Sequence, residues 1–293
     1  MANRRICIQI DFQGPNPLRI NSNGSSDKRT SLLNLARLLR GADTGAQFRK
    51  ATVPTTVVVQ ASVVQASATA TCAGVQAADT VSIGGTALTA TQLRASDTVT
   101  FASATAADTI TVNGVVFTAV NGAVTPGQAT FDVSGTDTQD AASFVSQLAA
   151  YRDPRIDGLI EAKSSAAVAT VYAKNIGTAG NNLTLASSTG VRLAVATANL
   201  ANGANPANNQ FDYIGTNNET AADLARAINA STSANIKQTT ASAASAVVTV
   251  TAKPPGVAGN AITFTSSNGA RLAVTGSGFL ASGSAGAPTQ WTF

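Results

Sequence analysis

The sequence predicts a mostly β, α+β protein made of tandem small antiparallel-sheet domains, each with one short helix, after an N-terminal strand-helix segment. Three observations predict this class. A long stretch of the chain occurs as two closely similar copies. Alternating apolar residues interrupted by Gly and Asn predict strands and hairpins, and a capping box in each copy predicts a helix.

The duplicated stretch is the strongest feature of the sequence. AVATVYAKNIGTAGNNLTLASSTGVRLAV begins at Ala167, and the closely similar AVVTVTAKPPGVAGNAITFTSSNGARLAV begins at Ala246. Upstream, FDVSGTDTQDAASFVSQLAA begins at Phe131 and FDYIGTNNETAADLARAINA begins at Phe211, with almost the same displacement along the chain. The chain therefore contains two copies of one module, which cover most of residues 131–283.

Each copy opens with a helix signal and continues with strand signals. Thr136 with Gln139, and Thr216 with Glu219, have the spacing of a capping box, in which side chains satisfy the first free N–H groups of a helix. The alternating segments that follow each helix predict a meander of three strands, with glycine-rich turns between them.

A smaller duplication predicts two hairpins. AADTVSIGGTALTA begins at Ala77 and AADTITVNGVVFTA begins at Ala106, and each places Gly-Gly or Asn-Gly between alternating apolar runs. Both residues of such a turn need positive φ, which Gly and Asn tolerate. The second hairpin precedes the first large copy, so that unit begins at about Ser96, and the second large copy is expected to lack a hairpin.

The first 50 residues are basic. They hold nine Lys and Arg against three Asp, within a chain of net charge +4, so the remainder is slightly acidic. The charges are scattered without interleaved aromatic residues, which favours a solvated face or a subunit contact over nucleic-acid recognition. The candidate assembly contacts are Arg4, Arg5, Arg19, Lys28, Arg29, Arg37 and Arg40.

These patterns predict five segments. Residues 1–60 form a basic anchoring segment, with a strand over residues 5–12 and an amphipathic helix in TSLLNLARLLRGAD. The other segments are a β-hairpin region at 61–95, repeat domain 1 at 96–203, repeat domain 2 at 204–286 and a C-terminal tail at 287–293.

Catalytic chemistry is not expected. The chain has no histidine, which excludes Ser-His-Asp and Cys-His nucleophiles and nearly all zinc sites. Its acidic residues fall at cap and turn positions, and neither Asp137 with Asp140 nor Asp153 with Asp157 has the alternating oxygen ligands of a calcium loop. We therefore predict no enzyme activity, no catalytic, cofactor or metal site, and no cofactor.

Other residues carry structural predictions. Cys7 and Cys72 are too few and too far apart for a disulfide scaffold and are expected to be small core residues. Arg192 and Arg271 occupy equivalent positions in the two copies, so a stem packed on the sheet with its charge in water is expected. No stretch approaches the roughly 20 apolar residues of a membrane span, and no export signal is visible.

The assembled phrases DTITVNGVVFTA, FDVSGTDTQDAASFVSQLAA, VTVTAKPPGVAGNAITF and RLAV resemble a small Ala/Thr/Gly-rich domain that recurs in virion structural proteins of tailed bacteriophages, including head-decoration and tail components. The resemblance covers roughly residues 66–283, and the expected absence of a hairpin from the second copy is its one departure. It implies a non-enzymatic role and transfers no catalytic residues.

The expected function is therefore that of a bacteriophage virion structural protein, most directly a capsid decoration or cement subunit. A tail tube, neck or fibre component is the alternative within this class, and an adhesin-like surface-binding module is the alternative outside it. The expected partners are other copies of the chain and major capsid or tail proteins, with no specific nucleic-acid recognition and no membrane. The expected location is the virion, after synthesis in the host cytoplasm.

Overall fold

The computed structural model describes residues 7–9, 19–21, 56–60, 63–285 and 288–292, with side chains for residues 63–285. These residues form five four-stranded sheets and two α-helices, which confirms the predicted mostly β, α+β class. The helix predicted in TSLLNLARLLRGAD lies outside the described residues.

One sheet, which we name the basal sheet, joins segments from both ends of the described chain. Its strands are β1 (Cys7–Gln9), β2 (Arg19–Asn21), β3 (Thr56–Gln60) and β20 (Pro288–Thr292). They lie in the order β2-β1-β3-β20, with antiparallel pairing throughout. The predicted C-terminal tail thus contains a strand, and residues 63–285 all lie between two neighbouring strands of this sheet.

Residues 95–204 form what we name the inserted unit, which has two sheets and one helix. The elements are β7 (Ser96–Phe101), β8 (Thr109–Val112), β9 (Val115–Val120), β10 (Thr130–Asp132), α1 (Asp137–Ala150), β11 (Ile160–Ser165), β12 (Val168–Ala173), β13 (Leu185–Ser187) and β14 (Leu193–Val195). The two sheets have the strand orders β10-β9-β8-β13 and β11-β12-β7-β14.

Residues 63–94 and 205–285 together form what we name the host unit, which repeats this architecture. The elements are β4 (Gln65–Cys72), β5 (Thr80–Ile83), β6 (Thr86–Thr91), β15 (Gln210–Asp212), α2 (Asn217–Ala230), β16 (Thr239–Ala244), β17 (Val247–Pro255), β18 (Phe264–Ser266) and β19 (Leu272–Val274). The two sheets have the strand orders β15-β6-β5-β18 and β16-β17-β4-β19.

The second copy is therefore a complete unit, and the prediction that it lacks a hairpin is wrong. The hairpin β5-β6 pairs with β18 and β15, so the segment predicted as a separate hairpin region belongs to the host unit. Its residues Val81, Ile83 and Leu88 are buried in one core with Phe211 and Phe264. A two-stranded hairpin is marginal alone, and joining this core gives it the apolar cover that it needs.

The predicted turns and caps are confirmed. Gly84, Gly85, Asn113 and Gly114 all have positive φ at the tips of the two hairpins, as the sequence pattern requires. Both helices begin with the predicted capping boxes, at Thr136 and at Thr216.

The predicted three-strand meander is wrong. β12 pairs with β11 and β7, β13 pairs with β8, and β14 pairs with β7, so the successive strands alternate between the two sheets. The host unit repeats this pattern with β17, β18 and β19. Because successive strands alternate between the two sheets of a unit, the two sheets cover one apolar core from opposite sides. A three-strand meander within one sheet would leave that core half exposed.

The repeated glycine turns make the change of sheet possible. A Cβ on Gly180 would lie 2.5 Å from Cβ of Ala173 and 2.9 Å from Cβ of Ala95. A Cβ on the equivalent Gly259 would lie 2.6 Å from Cβ of Ala252. Because real Cβ contacts are not this short, the short 3-10 helices at Thr178–Asn182 and Gly256–Ala261 can pack on their sheets only through glycine.

Candidate functional site at the junction of the units

The predicted assembly contacts fall almost entirely outside the described residues. Of the seven, the structure describes the backbone of Arg19 alone, which opens β2 of the basal sheet and lies opposite Gln9. The structure therefore does not test whether they form one surface. The most developed polar site in the described residues is a cluster that the sequence did not predict.

This junction cluster centres on Arg94, which follows β6 where the chain leaves the host unit. The side chain is only 8% exposed. Its Nη1 donates to Oδ2 of Asp212 at 2.7 Å and lies 2.9 Å from Oδ2 of Asp223, an ion-pair contact without hydrogen-bond geometry. Nη2 lies 3.8 Å from Oε1 of Glu219, and Nε donates to the carbonyl of Lys174 at 3.0 Å. One guanidinium thus meets three carboxylates of the host unit and the backbone of the inserted unit.

Burial and charge oppose each other within the cluster. Burial lowers the pKa of the Arg94 guanidinium, but the carboxylates of Asp223, Asp212 and Glu219 outweigh burial and raise that pKa above its usual range. Burial raises the pKa of the Asp223 carboxyl, against the pull of Arg94. For Glu219, burial is outweighed by hydrogen bonds from Thr216 and by Arg94, so its pKa is lowered. The charge of Arg94 therefore holds the group together.

Two side chains of the inserted unit complete the cluster from the other side. Nζ of Lys163 donates to the carbonyl of Gly215 at 2.9 Å. The hydroxyl of Tyr172, buried at the end of β12, lies 3.1 Å from Oε2 of Glu219 and 3.4 Å from Oε2 of Glu161. Burial lowers the pKa of Lys163 and raises that of Tyr172. Hydrogen bonds thus cross the junction in both directions.

The chemistry of this cluster suits a fixed structural contact between the two units. A guanidinium stays protonated near neutral pH, so it is a poor general acid or base. Here its N–H donors face carboxylates that hold it in place. Among the described residues, no three His, Cys, Asp or Glu side chains converge to hold a metal ion. The arrangement can fix how the inserted unit sits on the host unit.

A second pair of charged contacts is duplicated. Nε of Arg192 donates to Oδ2 of Asp108 at 2.8 Å, and Nε of Arg271 donates to Oδ2 of Asp79 at 2.7 Å. In each pair the other nitrogen, Nη2, donates to Oδ1, which makes the contact bidentate. The two arginines are 41% and 31% exposed, so their charges remain partly in water, but each is also paired and connects the hairpin of its unit to the start of the last strand, β14 or β19. The signal in the sequence was that both partners, and not only the arginines, occur at equivalent positions.

We expect these pairs to make stability depend on pH under acid conditions. The hydrogen bond from Arg192 lowers the pKa of Asp108 from 3.8 to about 2, and the bond from Arg271 lowers the pKa of Asp79. A carboxyl with a lowered pKa in the folded state stabilises above its unfolded pKa, and this stabilisation is lost as pH falls through the folded pKa. The free energy of unfolding should therefore fall as pH falls from about 4 to about 2.

Urea unfolding of the full chain at several pH values measures this effect. The double variant Arg192→Ala and Arg271→Ala should be less stable at pH 7 and lose less stability between pH 4 and pH 2 than the original chain. Lys237→Ala, at an exposed position, is the control. Parallel pH curves for the double variant and the original chain would contradict the prediction.

Other expectations concern thiols and membranes. Cys72 is buried in the core, as predicted, with a free thiol, and burial raises its pKa to about 11, so the thiol stays protonated and unreactive. The side chain of Cys7 lies outside the described residues. Neither described helix is long and apolar enough to cross a membrane.

In comparisons with known proteins, the chain matches no protein-family model, no curated protein and no solved structure.

Proposed function

We propose that the chain is a non-enzymatic structural protein of a tailed bacteriophage virion, and most directly a capsid decoration or cement subunit. The observation that carries the proposal is the nested topology. β3 and β20 pair in the basal sheet, and residues 63–285, which lie between them in the chain, form the host and inserted units. An attachment segment whose neighbouring strands enclose two further units in the chain is an arrangement suited to decorating a surface.

Charge and sequence resemblance support the same role. The first 50 residues, which contribute two strands to the basal sheet, carry the excess of positive charge. A basic attachment segment complements an acidic partner surface. The resemblance of residues 66–283 to domains of phage virion proteins supports the assignment of the two units. In this proposal the partners are copies of the chain and a major capsid protein, and no cofactor is involved.

The junction cluster supports a rigid link between the two units. A decorating protein must keep its exposed parts in place on the particle, and a hinge between two domains would allow them to move. Arg94, Lys163 and Tyr172 form contacts across the junction with little exposure to solvent. Such contacts restrict motion between the units, because breaking them would leave buried charges unpaired.

Cryo-electron microscopy of particles from a lysate that contains the protein tests the proposal. Density for the host and inserted units over the icosahedral shell would support capsid decoration. Density only on the tail would replace that role with a tail tube, neck or fibre component. Absence from particles, together with binding of the purified protein to bacterial cells, would overturn the virion role in favour of an adhesin.

A charge variant tests the attachment segment. Gln replaces the seven candidate assembly contacts, and attachment is measured by co-sedimentation with capsids that lack the protein. A control variant with Gln at Arg152, Lys237 and Lys253, all exposed in the repeat units, loses positive charge elsewhere. We expect the first variant to lose attachment and the control to keep it. Equal attachment by both would reject the basic segment as the anchor.

A further inference from the structure

The inserted unit contains an open polar cleft of about 300 Å³ at the start of helix α1. Its lining is made of short polar side chains and one apolar residue. The residues are Val124, Asp132, Ser134, Gly135, Gln139, Asp140 and Ser143. A cleft of this size and polarity suits the head group of a side chain better than an extended apolar ligand.

The duplication shows what occupies the same place in the host unit. β9 and β10 pair with Asp132 opposite Val120, and β6 and β15 pair with Asp212 opposite Thr91. The backbone contacts agree as well. The N–H of Gly122 donates to Oδ1 of Asp132 at 2.9 Å, just as the N–H of Leu93 donates to Oδ1 of Asp212 at 2.6 Å. The residue after Leu93 is Arg94, and the residue after Gly122 is Ala123.

Arg94 fills the equivalent cleft of the host unit. Asp212, Gly215, Glu219 and Asp223 are the counterparts of Asp132, Gly135, Gln139 and Ser143, and three of them are the carboxylates that surround the guanidinium. A Cβ on Gly215 would lie only 3.0 Å from Nη1 of Arg94, so the guanidinium lies against this glycine. The host cleft is thus a built guanidinium site with its ligand in place.

The cleft of the inserted unit keeps carboxylates but not the cation. Ala123 is exposed and too short to reach the cleft. Asp140 is one helical turn before Ser143 on α1, so its carboxylate replaces the one that Asp223 supplies in the host unit. Asp140 is 3% exposed, and its Oδ1 has no hydrogen-bond partner among the described residues.

A buried carboxylate oxygen without a donor is costly. Burial raises the pKa of Asp140, and the charges of Asp137 and Asp132 raise it further, against the backbone N–H of Gly135. A cation in the cleft would supply the missing donor and offset the repulsion between Asp132 and Asp140. A planar guanidinium supplies several donors in one plane, which a lysine ammonium does not.

We propose that the cleft lined by Asp132 and Asp140 binds the guanidinium of an arginine side chain from another protein chain, as the host cleft binds Arg94. The inference does not rest on the proposed virion role. It assigns to the inserted unit a docking site for an arginine, supplied either by a second copy of this chain or by a different protein.

Ethylguanidinium is the probe for the site. It is titrated into the isotope-labelled full chain while backbone amide signals are followed by NMR, with ethylammonium at equal ionic strength as the control. We expect signals near Asp132 and Asp140 to shift. The dissociation constant obtained from these shifts should be roughly 1–10 mM, as expected for a single ion-pair site that is open to solvent. Signals near Asp212 should not shift, because Arg94 already occupies that cleft.

Two variants sharpen the result. Asp140→Asn should weaken binding about tenfold, since the buried charge is removed while the shape is kept. Ala123→Arg should abolish binding and raise the melting temperature, because it recreates Arg94 in the inserted unit; Ala123→Gln is the control for side-chain size. Absence of a shift near Asp140, an equal response to ethylammonium, or unchanged binding by Asp140→Asn would each overturn the proposal.

Sedimentation velocity distinguishes the two sources of the arginine. Self-association of the original chain that Ala123→Arg abolishes would identify a second copy as the donor. A monomeric chain that still binds ethylguanidinium at Asp140 would exclude a second copy and leave a different protein as the source of the arginine.

Discussion

Replacing Arg94 with alanine is expected to lower the free energy of unfolding by about 3–5 kcal/mol, the usual cost of removing one partner from a buried ion pair. The loss would leave Asp212, whose side chain is fully buried, without an ion-pair partner among the described residues, and Asp223 with Arg226 alone. The carbonyl of Lys174 would lose its donor as well. For the two units together, residues 63–285, the melting temperature should fall by roughly 6–20 °C.

Calorimetry of the full chain measures this effect, with Arg152→Ala as the matched control. Arg152 also pairs with an aspartate, Asp157, but its side chain is 69% exposed. Its removal should cost less than about 1 kcal/mol. Arg94→Lys should recover only part of the loss, because an ammonium cannot serve three carboxylates and a carbonyl in one plane. A loss no larger than that of Arg152→Ala would show that the cluster does not stabilise the junction.

Replacing Phe144 with alanine should cost about 3–5 kcal/mol, the range for a large aromatic side chain removed from a core. Phe144 lies on the buried side of α1, and its ring centroid is 5.6 Å from that of Phe131, 5.7 Å from that of Phe117 and 6.2 Å from that of Phe101. All four rings are buried. Alanine would therefore remove the ring that contacts the other three.

The repeat supplies a matched control for this substitution. Leu224 of α2 is the counterpart of Phe144, so Phe144→Leu introduces the residue that the host unit already uses. It should cost clearly less than alanine because a leucine refills part of the space. Calorimetry should show that both variants lower the melting temperature of the full chain, and that Phe144→Leu lowers it less than Phe144→Ala. A similar cost for leucine and alanine would contradict the argument that the volume left empty decides the cost.

Local features of the fold could be predicted from the sequence. Helix starts at Thr136 and Thr216 and turns at Gly84 and Asn113 depend on nearby residues, and each was correct. Strand alternation was also informative, since β5 and β8 bury every second residue. These signals act over a few residues, so they survive without knowledge of the tertiary structure.

The nested arrangement was not predicted, although its signal was present. The stretch that begins at Ala77 matches a later one, at Ala106, whereas the stretch that begins at Phe211 matches an earlier one, at Phe131. The first half of one copy therefore precedes its counterpart, and its second half follows its counterpart. This copy encloses the other in the sequence. Local patterns alone do not reveal this enclosure, so they predict the hairpin of the host unit as a separate region. The junction cluster was missed for the same reason, because Arg94 meets its carboxylate partners only once the insertion brings them together.

The insertion also has a consequence for the order in which the protein folds. Every strand of the inserted unit lies within residues 95–204, whereas β4 must pair with the distant β17, Thr69 lying opposite Thr249. During synthesis the whole inserted unit emerges from the ribosome before the second half of the host unit does. Once folded, it holds Leu93 and Ala204 close together through a backbone hydrogen bond of 3.0 Å, which shortens the loop that the host unit must close. We therefore expect the inner copy to fold first and to favour assembly of the outer one, and the basal sheet, which needs β20, to form last.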